Sequence, residues 1–189
     1  TSSGYSQKRL SCFFFIGKLF YLEYNIRLFF YLLFSKSEVI GAVDADTLLP
    51  CFLVSKIRSL KLVFDAHEYF SEVPELAERP MTKKVWQWVE QTFIPAVKNK
   101  YTVSESLAAE FETKFNTSFE VIRNMPFKSL SEPEFSDEKF ILYQGALNEG
   151  RALEQLIVAM HHIPIKLKIA GEGDLSNALR EFVIKEGLS

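Results

Sequence analysis

The stretch FDAHEYFSEVPEL, Phe64 to Leu76, sets one histidine (His67) and four acids (Asp65, Glu68, Glu72, Glu75) directly behind the apolar run KLVF. Such a set could hold a metal, run acid/base chemistry or hydrate a loop. The metal pattern fails on spacing. His67-Glu68 begins like H-E-x-x-H, but Ser71 stands where the second histidine belongs. The other histidines, His161 and His162, sit far downstream on a helical pattern, so no metal is expected. His67 remains as a polar or acid/base group just past a strand pattern, where a lone loop histidine can equally be structural. Asp44 and Asp46 occupy the matching place after the neighbouring strand pattern. Asp46 reads most simply as a helix N-cap, which leaves Asp44 and Glu68 as further cleft candidates.

A second set lies downstream. In YQGALNEGRALE, Gly145 follows a strand pattern and Arg151 opens a helical one. A cation there could clamp a phosphate beside a helix N-terminus, whose free N–H groups and dipole favour negative charge. The bland reading is a solvated arginine in a loop. GEGD, Gly171 to Asp174, permits a tight turn through Gly171 and Gly173, but Ser176 replaces the third glycine of a dinucleotide fingerprint.

These residues need elements to position them. The 189-residue chain is 48% hydrophobic and 24% charged, the profile of a globular protein with a packed core. A formal net charge of −2 gives no footprint for nucleic acid. Cys12 and Cys51 lack ligand spacing and fit a reducing compartment. Beginning at Thr1 and ending just past a helical pattern, the chain reads as a fragment.

FFFIGKLFYLEYNIRLFFYLLF, Phe13 to Phe34, is the candidate membrane segment. Lys18, Glu23, Asn25 and Arg27 interrupt it, and charges are costly at a bilayer centre. Leu19, Leu22, Ile26, Phe29, Phe30 and Leu33 form one helical stripe, and Glu23 and Arg27 are spaced for an i,i+4 pair. We therefore expect a core helix packed against a sheet, whose remaining aromatics leave a peripheral membrane contact open.

Beyond it, strand and helix patterns alternate. Strands are expected at Glu38 to Val43, Lys61 to Ala66, around KYTVS, and at Phe119 to Arg123. Between them, helices are expected at Asp46 to Ser59 with Pro50 in the first turn, at Thr82 to Val97 with Val85, Trp86, Val89 and Phe93 on one face, and after a Ser104 cap with Leu107, Phe111 and Phe115 inward. Residues 127–139, rich in serine, proline and acids, read as a linker. The pattern restarts with strand FILYQG, a helix from Gly150 to Ile163 with Leu153, Leu156, Ile157 and Met160 inward, strand IKLKIAG, and a helix near Leu175. The fold class is α/β, with two Rossmann-like parallel-sheet domains (1–126 and 140–189), both incomplete. Ligands of such sheets bind outside the carboxyl ends of the strands, here in an interdomain cleft suited to a nucleotide or phosphorylated ligand.

The segments DADTLLP, VFDAHEYFSEVPEL, YTVSES, IRNMP, YQGALNEGRALEQLIVAM and KLKIAGEGDL, in this order, resemble the retaining GT-B glycosyltransferases of family 4, the bacterial surface-polysaccharide type. The resemblance runs from about Tyr21 to the end of the chain. It implies a nucleotide-sugar donor, a glycan or lipid-linked acceptor, no metal or other cofactor, and a cytoplasmic location with peripheral contact on the inner membrane face. It implies that His67 meets the transferred sugar and that Gly145, Arg151, Gly171 and Gly173 serve the donor. Arg151 stands where the family usually has a lysine, and Ala146 replaces a common arginine. The family's glycine-rich loop would precede Thr1 and its paired-glutamate motif would follow Ser189, so this piece is expected to be inactive alone. Two other readings keep the fold: a sugar-nucleotide epimerase or hydrolase using Glu68 or Glu72, and a non-catalytic binding module.

Overall fold

The computed structural model describes residues 6–76, 79–126 and 138–188. The chain forms two compact units, Thr1–Met125 and Pro126–Ser189. Most of the expected linker, residues 127–137, lies outside the described residues.

In the first unit, helix α1 (Gly17–Leu33) precedes β1 (Val39–Val43), α2 (Asp44–Ile57), β2 (Lys61–Ala66), α3 (Pro80–Phe93), β3 (Asn99–Thr102), α4 (Glu105–Phe115) and β4 (Glu120–Val121). The four strands are parallel in the order β1-β2-β3-β4. Crossovers of this kind are right-handed as a rule, and three in one direction put their helices on the same face; α2, α3 and α4 accordingly contribute to one core. Alternation fits this: Ile40, Ala42, Leu62, Phe64, Ala66 and Thr102 are buried, whereas Val39 and Val43 are exposed. The core continues into the helices through Leu48, Val54, Val89, Ile94 and Phe111. Burial of each such side chain contributes roughly 1.5–3 kcal/mol.

The second unit has β5 (Phe140–Gln144), α5 (Leu153–Ala159) continued by a 3-10 turn (Met160–His162), β6 (Lys166–Ala170) and α6 (Ser176–Lys185). Its strands are again parallel, and Leu147, Leu153, Ile157 and Leu179 form its core. Both units are thus α/β with parallel strands, as expected from the sequence.

Several local expectations are corrected. No residue of α1 is fully buried. Its packed side is Tyr21, Leu28, Phe29, Leu32 and Leu33, while Leu19, Leu22, Ile26 and Phe30 of the expected inner stripe are exposed. The reason is the partner: α1 packs on α2 instead of on the sheet. Tyr21 sets its ring edge-on to Trp86 at 5.4 Å, and the Arg58 guanidinium caps the helix by donating to Leu32 O at 2.8 Å. The Glu23–Arg27 pair forms as spaced, at 2.7 Å. No helix among the described residues is long and apolar enough to cross a membrane.

Helix α2 starts at Asp44, two residues early, so Pro50 lies in its second turn. In α3, Trp86, Val89 and Phe93 face inward but Val85 is exposed. The cap of α4 forms as expected, with Ser104 Oγ accepting from Leu107 N at 3.3 Å. Helix α5 is delayed to Leu153 because Gly150 and Ala152 take left-handed angles of +81° and +53°.

The segment after β2 is clamped from two sides. Tyr69 packs against Phe111 and Phe115 of α4, and Phe70 meets Trp86 of α3 at 5.1 Å. Glu72 accepts from Lys83 Nζ at 2.6 Å, so it is spent on an ion pair with α3. The side chain of Glu75 is outside the described ones. Deeper in, Glu90 of α3 is 2% exposed, and its Oε1 accepts the Ser71 N–H at 3.0 Å. Burial pushes the Glu90 carboxyl above its usual range, and hydrogen bonding from Ser71 opposes the shift.

This contact gives the first prediction. Glu90→Ala strands the buried Ser71 amide and opens a void, and is expected to cost about 2–4 kcal/mol of stability. Glu90→Gln retains the acceptor and is expected to stay within about 1 kcal/mol of the parent. Urea denaturation midpoints check both.

Candidate functional site

Register determines what meets at the end of the first sheet. Val43 of β1 pairs with Asp65 of β2, so Asp44 and His67 leave the sheet side by side. Asp44 takes φ +56°, which turns the chain straight from β1 into α2. Its Oδ1 then accepts the His67 N–H at 2.9 Å, and the Glu68 amide also bonds to it. Two residues apart on an extended chain, Asp65 and His67 project to one side. His67 Nε2 lies 3.0 Å from Asp65 Oδ2, and the imidazole remains 39% exposed.

Tyr101 stands opposite Asp65 in the β2–β3 register. Its hydrogen bond to Asp65, with some burial, pushes the phenol above its usual range. The structure therefore brings together His67, Asp44, Asp65, Tyr101 and the Glu68 backbone. Asp65 was counted among the acids of the opening stretch but not as a site candidate, and Tyr101 was not singled out in the sequence. Strand alternation could have flagged Asp65, but Tyr101 required the register.

The nearby acids are electrostatically unfavourable. Burial raises the Asp44 carboxyl, and the His67 amide offsets part of that. Asp46 is pushed up to about 6, first by burial and then by the charge of Asp44. Asp46 is not the N-cap: Val43 holds that position with no side-chain cap, and Thr47 Oγ1 donates to Val43 O at 2.7 Å. An acid held near neutrality can carry a proton that an ordinary aspartate would have lost.

In the second unit, the loops after β5 and β6 are sewn together by their backbones. Gly145 N donates to Ala170 O at 3.1 Å, Leu147 N to Glu172 O at 3.2 Å, and Leu175 N to Leu147 O at 2.9 Å. Gly171 and Gly173 are the residues this approach requires. A Cβ on Gly171 would stand 1.9 Å from Gly145 O, and one on Gly173 would stand 2.6 Å from Leu147 O. Asn148 Oδ1 accepts Asp174 N at 3.2 Å, and Gly173 N donates to Ser176 Oγ at 2.8 Å. The serine that breaks the glycine fingerprint is thus a turn-closing acceptor. Arg151 is exposed and lies two residues before α5 begins. Arg180 pairs with Glu172 at 2.9 Å, a second cation at this loop that the sequence did not single out.

Two predictions follow from these geometries. Gly171→Ala forces backbone against backbone and is expected to destabilise the Pro126–Ser189 unit by about 3 kcal/mol or more. Hydrogen exchange should show faster exchange over β5 and β6 with β1–β3 unchanged. For Asp46, the folded carboxyl titrates above its unfolded value near 3.8, so the folded state holds an extra proton between that value and about 6. The stability conferred by that proton is full below 3.8 and is lost as pH rises through about 6. Asp46→Asn should flatten this fall and raise stability at pH 7 by about 1–3 kcal/mol, read from denaturation curves between pH 4 and pH 7.

Comparison with known proteins locates the fold. No family model matches the sequence, and no curated protein matches it either. Among solved structures, the chain is similar to a mutant of S. aureus TarM in complex with fondaparinux, alpha-GlcNAc-glycerol and UDP, at 14% identity with a TM-score of 0.63. The match covers 88% of this chain, and the chain spans 35% of that structure. TarM is a GT-B glycosyltransferase, and the likeness shows that these residues adopt the Rossmann-like α/β architecture of that fold.

Proposed function

We propose that the chain belongs to a retaining glycosyltransferase of family 4 that moves a hexose from a nucleotide-sugar donor to a glycan or lipid-linked acceptor in surface-polysaccharide synthesis. The observation that carries this reading is the placement of His67 at the carboxyl end of β2, in a fold shared with a UDP-bound transferase. Ligands of parallel sheets bind at such strand ends. The transferase reading assigns the acceptor side to the first unit and the donor side to the second, around Gly145, Arg151, Gly171 and Gly173. Enzyme action is proposed for the whole protein, and residues 1–189 alone are expected to be inactive.

In the reaction, the bond from the anomeric carbon to the diphosphate breaks and a bond to the acceptor hydroxyl forms on the same face. The hydroxyl proton passes to the leaving phosphate. Arg151 offsets the charge developing on the diphosphate. His67, oriented by Asp44 through its backbone and by Asp65 through its ring, hydrogen-bonds the sugar as positive charge grows on it. No metal or other cofactor is assigned a role.

A second reading, a sugar-nucleotide hydrolase or epimerase on the same fold, draws support from Asp46, which holds its proton to about pH 6 and could act as an acid. Of the two carboxylates the sequence offered for that role, Glu68 and Glu72, the latter is engaged by Lys83.

Binding of UDP and of GDP to the intact protein, measured by calorimetry, tests the donor site. One of them is expected to bind, and Arg151→Ala to weaken it about tenfold. Binding of neither would overturn the proposal. His67→Ala should lower kcat about 100-fold or more with the donor KM little changed. Product formed only when acceptor is present separates transfer from hydrolysis and epimerisation.

A further inference from the structure

His67 has two ring nitrogens, and the fold engages only one of them. Nε2 lies 3.0 Å from Asp65 Oδ2. Nδ1 has no hydrogen-bond partner among the described residues, and the side chain is 39% exposed. The backbone N–H of His67 donates separately to Asp44 at 2.9 Å, which anchors the main chain that carries the ring. Asp65 is anchored as well, standing between Val43 and Tyr101 in the sheet and engaged by the Tyr101 phenol. The free nitrogen is therefore held from two directions, through the main chain and through a carboxylate.

The identity of that neighbour decides the tautomer. A carboxylate has only lone pairs to offer, so Nε2 must carry the proton shared with Asp65. In the neutral imidazole Nδ1 then holds a lone pair and can only accept. An acceptor at this point selects its ligand. A hydroxyl can donate to it, whereas the oxygens of a diphosphate carry lone pairs of their own and are repelled. A neutral ring also sets no cation beside a sugar carbon on which positive charge grows. By accepting a hydrogen bond from a sugar hydroxyl, it leaves that oxygen richer in electrons as the charge develops.

We propose that Asp65 is a positioning residue that holds neutral His67 in its Nε2–H form, so that Nδ1 accepts a hydrogen bond from a hydroxyl of the transferred sugar and rejects phosphate oxygens. The sugar as the source of that hydroxyl rests on the transferase reading above; the tautomer and the role of Asp65 do not. A donor deoxygenated at the contacted position is then a poor substrate, because the Nδ1 lone pair is left without a partner.

The tautomer is read on the 189-residue chain by two-bond proton–nitrogen correlation at mildly alkaline pH. The chain has 3 histidines, and exposed His162, with no ring partner among the described residues, is the internal reference. His67 is expected in the Nε2–H form, with that proton protected from solvent exchange. Asp65→Ala should lose the protection, and Asp65→Asn, whose amide oxygen still accepts, should keep it. The same spectra report whether each variant folds. An Nδ1–H signal for His67, or equal protection in the alanine variant, would overturn the proposal. In the intact protein, Asp65→Ala should lower kcat about 10–100-fold with the donor KM little changed, and should add little to the loss in His67→Ala. Asp65→Asn should recover most of that loss. Additive losses would mean that Asp65 does not act through His67, and would overturn its role. Fluorine cannot donate a hydrogen bond, so monodeoxyfluoro nucleotide hexoses should be as poor as the monodeoxy ones at the contacted carbon. Turnover of the fluoro donor near that of the parent would overturn the acceptor role of Nδ1. The expected tautomer in a protein without transfer activity would support the Asp65–His67 pair and overturn the transferase reading instead.

Discussion

The parallel register of β1 on β2 is the constraint from which the candidate site follows. Pairing Val43 with Asp65 delivers the next residues of both strands to one place, where Asp44 receives the amide of His67. The same ladder carried one strand further sets Tyr101 against Asp65. A slip of one residue would turn Asp65 and His67 together toward the opposite face and part the His67 amide from Asp44. The buried alternation of Ile40, Ala42, Leu62 and Phe64 prevents that slip. Core packing and site geometry are thus two outcomes of a single pairing.

The segment that carries His67 has little regular structure of its own and is held by others. Helix α3 contributes Glu90 and Lys83, and α4 contributes Phe111 and Phe115. Placing a buried acid such as Glu90 under a loop costs desolvation, and the Ser71 amide returns part of it. The left-handed Asp44 adds strain at the neighbouring strand end. These costs concentrate where the structure presents its polar groups, which is where functional sites commonly store them.

The second unit shows a different economy. Its two glycines in GEGD allow the loops after β5 and β6 to touch backbone to backbone. That contact explains Gly171 and Gly173 without any ligand, and it also builds the rigid loop on which a ligand could rest. A structural role and a donor-binding role for these glycines are compatible, since close approach serves both.

The sequence by itself determined much of the architecture. Alternation of strand and helix periods marked the parallel α/β class, and Ser104 and the Glu23–Arg27 spacing marked local contacts that depend only on near neighbours. His67 could be located as a polar group beyond a strand because that needs only the order of residues. What the tertiary structure alone decided was which side of each element meets which partner. The stripe on α1 was visible, but its burial was not, because an apolar stripe says that a helix has a sticky face and not what covers it. Here α2 meets the Tyr21–Leu28–Leu32 side and leaves Leu19, Leu22 and Ile26 to solvent. Likewise Asp46 looked like a cap until the left-handed Asp44 began the helix two residues earlier. Asp65 shares a strand with His67, but only the register between neighbouring strands could bring Asp44 to the His67 amide and Tyr101 to Asp65.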